Sequence, residues 1–63
     1  MKTIIPGDEG VLVQYLQLAL TRAGYVTQIN GVFGPVTCRI LKAFLKTETN
    51  CAVTQEIWDR LIP

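Results

Sequence analysis

Residues 24–37 read Gly24-Tyr25-Val26-Thr27-Gln28-Ile29-Asn30-Gly31-Val32-Phe33-Gly34-Pro35-Val36-Thr37. This stretch has the chemistry of a join between two helices. Gly24 suits the left-handed position just past a helix C-terminus, and Tyr25 can fold back as the apolar contact that accompanies such a stop. Asn30-Gly31 is a turn dipeptide, because both residue types tolerate positive φ. Pro35 fits the first position of the next helix, where its missing N–H costs nothing. The intervening residues, from Val26 to Phe33, are expected to be irregular or weakly extended.

Working outward, the preceding segment reads as a helix ending at about Ala23, with Asp8 as its N-cap and Glu9 favourable near the positive helix end. Leu12, Val13, Leu16, Ala19, Leu20 and Ala23 cover one arc of it. Gln14, Gln17 and Thr21 form a polar arc. Val11, Tyr15 and Leu18 form a third cluster, flanked by Arg22. Two readings of that surplus stand: a central helix covered on two sides, or an exposed patch that docks on another protein. The second helix covers about 35–46, with Val36, Ile40, Leu41, Ala43 and Phe44 facing the core. Lys42 and Lys46 read as a solvated face that suits the helix dipole. Thr54 is expected to cap a third helix, about 55–62, whose Trp58 and Leu61 face inward, Trp58 as a core plug. The expected fold is a small all-α, three-helix domain, one domain over residues 1–63. A chain this short buries only about 60% of its unfolded surface, so it should be sensitive to core changes.

The turn has a partial echo. Asn30-Gly31-Val32-Phe33-Gly34-Pro35-Val36-Thr37 is followed at 50–57 by Asn50-Cys51-Ala52-Val53-Thr54-Gln55-Glu56-Ile57, and each leads into an amphipathic helix. Together with Val13-x2-Leu16-Gln17-x2-Leu20 and Ile40-Leu41-x2-Phe44, this pattern resembles the peptidoglycan-binding domain family, type 1. The resemblance runs from Gly7 to Leu61. It implies a three-helix module that usually anchors cell-wall hydrolases and carries no catalytic residues of its own. In that family the turn Asp-Gly-x-x-Gly-Pro-x-Thr normally occurs twice. Here the first copy is intact except for Asn30, while the second has lost both glycines, its proline and the terminal threonine. A glycine's backbone geometry is costly for Cys51, so the second loop is expected to follow a different path. The family's Phe-Gln pair at the end of the second helix is Phe44-Leu45 here, an apolar residue near the implied ligand face. The positions of Tyr15 and Leu18 are usually polar in the family, which favours the docking reading of that patch. By resemblance, the ligand face lies near loop 25–34 and the adjoining helix ends. Gln17, Tyr25, Asn30, Phe33 and Thr37 are the candidate ligand-binding residues. Each also has a structural role open to it: shaping the turn, packing, or bonding to backbone.

Several chemistries lack their parts. The chain has no His, which removes Ser-His and Cys-His nucleophile pairs within it. Two cysteines without His do not complete an ordinary zinc site. Asp8, Glu9, Glu48, Glu56 and Asp59 fall at helix starts or exposed positions, with no pair placed for glycosidase work. Gly31-x-x-Gly34-Pro35 lacks the lysine and spacing of a phosphate loop. The expectation is a protein that is not an enzyme and needs no cofactor or metal. The six Lys and Arg are scattered, against a nucleic-acid partner. No apolar run approaches the ~20 residues of a membrane helix. The start, Met1-Lys2-Thr3-Ile4-Ile5-Pro6-Gly7, is too short an apolar stretch for a signal peptide. The protein therefore stays in the cytoplasm, leaves by another route, or is a domain of a longer chain. Cys38 and Cys51 can approach each other, and a bond would contribute ~3 kcal/mol. The missing secretion signal favours two reduced thiols instead. Two functions follow. One is a non-catalytic binder of bacterial peptidoglycan. The other is an assembly subunit of a phage-like or injection particle that keeps the fold without the ligand and meets a protein partner through Val11, Tyr15 and Leu18. A phage lysin's targeting domain, separated from its catalytic part, is a third.

Overall fold

The computed structural model describes residues 1–62. Among them are three helices: α1 (Val11–Arg22), α2 (Pro35–Leu45) and α3 (Gln55–Leu61). The expected all-α class holds. The rest of the described chain is turn and loop, tied together by two isolated antiparallel bridges, Ile4 with Val53 and Glu9 with Val32.

The C-terminus of α1 follows its sequence signals. Gly24 takes φ 98°, the Gly24 amide donates to the Thr21 carbonyl (3.0 Å), and the Tyr25 amide donates to the Leu20 carbonyl (2.9 Å). These are the paired bonds of a glycine-stopped helix. The N-terminus differs from expectation. Helix α1 starts behind Gly10, not Asp8, and no side chain caps it. Residues 8–10 are already engaged with the first turn: the Phe33 amide donates to the Asp8 carbonyl and the Gly10 amide donates to the Gly31 carbonyl. Asp8 Oδ2 instead accepts the Ile5 amide at 2.9 Å. Pro35 opens α2 as expected, and Lys46 closes it in the left-handed conformation. Thr54 does sit at the N-cap of α3, but its side chain makes no capping bond; its carbonyl accepts the Trp58 amide at 2.9 Å.

The core gathers Val13, Leu16, Ala19 and Leu20 of α1, Leu41 and Leu45 of α2, and Trp58 and Leu61 of α3, closed by Ile4, Phe33, Cys51 and Val53 from the connecting segments. Trp58 is the expected plug, and its Nε1 donates to the Lys2 carbonyl at 3.1 Å. Three expectations about inward faces fail. Val36 is 56% exposed, and Ala43 and Ala23 are also exposed. The buried stripe of α2 is Thr37, Leu41 and Leu45. At about 100° per residue, Val36 and Ala43 fall outside the arc centred on that stripe. Ala23 lies beyond the last helical residue. Leu45 is a core residue rather than an apolar intrusion on a ligand face.

The cysteines are not reduced: Cys38 and Cys51 form a disulfide, joining α2 to the approach to α3. Nor does the second loop take its own path. Cys51 adopts φ 65°, close to the 76° of Gly31. Asn50 Oδ1 accepts the Ala52 amide (3.0 Å) just as Asn30 Oδ1 accepts the Val32 amide (3.0 Å). Val53 pairs with Ile4 as Phe33 pairs with Gly7 and Asp8. The left-handed conformation costs a non-glycine residue about 1–2 kcal/mol. Enclosure of the Cys51 side chain in the core and its bond to Cys38 offset that cost.

Candidate functional site

The first turn is organised by one side chain. Gln17 projects from the middle of α1 and is 1% exposed. Its Oε1 accepts the amides of Asn30 and Gly31, both at 2.9 Å. Its Nε2 lies 3.0–3.1 Å from three acceptors: Asn30 Oδ1, the Val32 carbonyl and Thr37 Oγ1. Gln17 thus serves as an inserted peptide group, bridging α1, the turn and the first turn of α2. Buried polar groups must be paired, and this one is paired on both ends of its amide. Gly31 is required here on two counts. Its φ is left-handed, and a Cβ on it would sit 3.1 Å from Gln14 Cγ and 3.3 Å from the Gly10 carbonyl.

The five candidate ligand-binding residues therefore divide. Gln17, Phe33 and Thr37 are buried; they set the shape of the turn and do not front it. Tyr25 is half-buried, with its ring edge-on to Phe44 (centroids 5.7 Å, 90°), and Arg60 covers the Phe44 ring. Asn30 is at the surface. Its Oδ1 is taken by Gln17 and the Val32 amide, while its Nδ2 has only a long 3.5 Å approach to Gln28 Oε1. Beside it, Gln14, Gln28, Ile29, Val32 and Val36 are exposed. This polar and apolar rim is the part of the turn that another molecule can touch. The burial of Gln17 had a signal in the sequence: Val13, Leu16, Gln17 and Leu20 occupy positions i, i+3, i+4 and i+7 of one face. Sorted by residue type, Gln17 joins Gln14 and Thr21; sorted by position, it belongs to the core stripe.

The second candidate face lies on α1. Val11 is 78% exposed, Tyr15 39% and Leu18 38%. Tyr15 stacks on Trp58, with centroids 5.9 Å apart and planes 24° apart. Tyr15 and Leu18, with Ala19, Arg22, Leu61 and Ile62, line a cleft of about 160 Å³. Val11 stands apart from this cleft. The sequence cluster is thus one residue outside the cleft and two that line it together with the C-terminal end of α3.

Three of the five acidic side chains, Asp8, Glu48 and Asp59, are occupied locally. Glu48 pairs with Lys42 (3.0 Å), and Asp59 Oδ1 accepts from Gln55 Nε2 (2.9 Å). Among the described residues, no three His, Cys, Asp or Glu side chains stand close enough together to hold a metal ion. No helix of the described residues is long and apolar enough to cross a membrane.

With this geometry in hand, the fold has a counterpart. The chain is similar to part of a phage endolysin. The crystal structure of Burkholderia AP3 phage endolysin superposes with a TM-score of 0.88 at 30% identity, over 97% of this chain and 25% of the other. The chain thus spans about a quarter of that protein's length. No family model matches the chain, and no curated protein sequence matches it.

Proposed function

We propose that this domain is a non-catalytic module that attaches to bacterial peptidoglycan through the rim of the first turn. The likeness to a quarter of a phage endolysin, nearly end to end over this chain, carries the reading. Endolysins act on the bacterial cell wall, and a separate part that holds the wall keeps the part that cuts it close to its substrate. The holding role suits a chain without histidine whose carboxylates are scattered, three of the five being engaged locally. The rim offers what a glycan-peptide polymer requires: amide groups on Asn30, Gln28 and Gln14 for hydroxyls and peptide bonds, and the apolar surfaces of Ile29, Val32 and Val36. Gln17, Phe33 and Thr37 act from beneath by keeping the turn rigid, so that little ordering entropy is lost on binding.

The test is co-sedimentation of the folded domain with intact peptidoglycan sacculi, beside an unrelated domain of similar charge. Saturable pelleting is expected, weakened in the Asn30→Ala, Tyr25→Ser variant. A folded protein that stays in the supernatant overturns the reading, and undiminished binding by the variant overturns the site.

The depression formed by Tyr15, Leu18 and α3 favours a second reading, a protein-docking face of an assembly subunit. Leu18→Glu should then abolish association with a partner while the helical signal persists. Loss of folding instead would assign Leu18 to the core.

A further inference from the structure

The two turns share a backbone but are held by different means. Gly31 takes the left-handed conformation with no side chain to penalise it, and Gln17 grips the turn from α1. Cys51 takes nearly the same conformation with a side chain, and its tie to a helix is the covalent bond to Cys38. The N-terminal segment is divided between them. Residues 7–10 bond to the first turn, through the Gly7 amide to the Phe33 carbonyl, the Phe33 amide to Asp8 and the Gly10 amide to Gly31. Residues 1–4 bond only beyond Cys51. The Met1 ammonium donates to Gln55 Oε1, Trp58 Nε1 donates to the Lys2 carbonyl, and Ile4 exchanges bonds with Val53 in both directions.

We infer that the Cys38–Cys51 disulfide is a redox latch: opening it by a dithiol reductant releases residues 1–4 and 51–54 while the first turn stays closed. The exchange is balanced as follows. A reductant thiolate attacks Sγ of Cys38, the half-buried partner, since Cys51 is fully enclosed. The protein S–S bond breaks, and Cys51 leaves as a thiolate and takes up a proton. The reductant's second thiol then attacks the mixed disulfide and frees Cys38, and the dithiol is oxidised by two electrons. Once reduced, Cys51 keeps an unfavourable left-handed backbone without the bond that imposed it. Relaxation of Cys51 moves Val53, and with Val53 goes the anchorage of Ile4. The inference concerns the domain itself and does not rest on wall binding.

Hydrogen exchange of the whole domain, oxidised and reduced at about 10 °C, tests it, with both thiols verified free by alkylation and mass. On reduction the amides of Ile4 and Val53 should accelerate on the order of tenfold more than those of Asn30, Gly31 and Phe33, and reoxidation should restore both sets. The C38A/C51A variant should match the reduced parent and ignore reductant. Melting of the reduced parent should fall by on the order of 15 °C. Unchanged exchange at Ile4 and Val53 with both thiols free overturns the inference. Equal acceleration at Gly31 also overturns it, because the bond would then brace the whole domain and latch no part of it. The parent's own reduction decides the matter if the variant does not fold.

Discussion

Replacing Gln17 by leucine should remove a large share of the domain's stability. The side chain has similar volume, so the effect is one of hydrogen bonding. The Gly31 amide, in a buried residue, loses its acceptor, and a buried unsatisfied group costs about 1–3 kcal/mol. The Asn30 amide loses the same acceptor but lies nearer water, for about 1 kcal/mol more. The Val32 carbonyl keeps its 3.5 Å approach from Thr37 Oγ1, and the leucine gains some apolar burial. The net loss is roughly 2–4 kcal/mol, set against a total stability of roughly 3–9 kcal/mol for a domain of this size. Melting followed by far-ultraviolet circular dichroism should drop by roughly 10–25 °C. Gln14→Leu, three residues away on the exposed side, is the control and should change stability by no more than about 0.5 kcal/mol. If Gln17→Leu melts within about 4 °C of the parent, the bonding role assigned to Gln17 is wrong.

Three further outcomes are expected. Gly31→Ala and Gly24→Ala both place a side chain at positive φ, but only Gly31 has atoms in the way. Both variants should lose about 1 kcal/mol, and Gly31→Ala distinctly more, in urea midpoints. Leu41→Ala removes a fully buried side chain between the helices; it should cost about 2–5 kcal/mol, read as a large fall in the urea midpoint. Lys42→Ala breaks the surface pair with Glu48 and should shift the urea midpoint by less than about 0.5 kcal/mol equivalent.

The helices were legible because their signals are local. Gly24 and Pro35 mark a stop and a start through backbone geometry alone, and apolar period places Leu16, Leu20 and Leu41 inside. What escaped depends on distance in space. Asp8 is a sound cap by residue type, yet residues 8–10 were already claimed by the turn at residues 31–33, as the Gly10–Gly31 bond shows. The disulfide needs the α2–α3 geometry, which spacing alone does not supply. Cys51 reads as a poor fit for a glycine's place until its covalent partner is known. Asn30 and Tyr25 kept surface within reach of a ligand. Gln17, Phe33 and Thr37 did not, because a residue's type says which bonds it can make but not whether a neighbouring backbone has already taken them.

The bonds from Met1 to Gln55 and from Trp58 to Lys2 have a consequence for engineering. They hold the first residues against α3, whose seven residues end at Leu61, so the described chain begins beside the helix with which it ends. Such a unit can be spliced into an exposed loop of a host protein with little spacing between the junctions, or opened elsewhere after its ends are joined by a short linker. The first turn, on which no end impinges, would remain available on a graft of either kind.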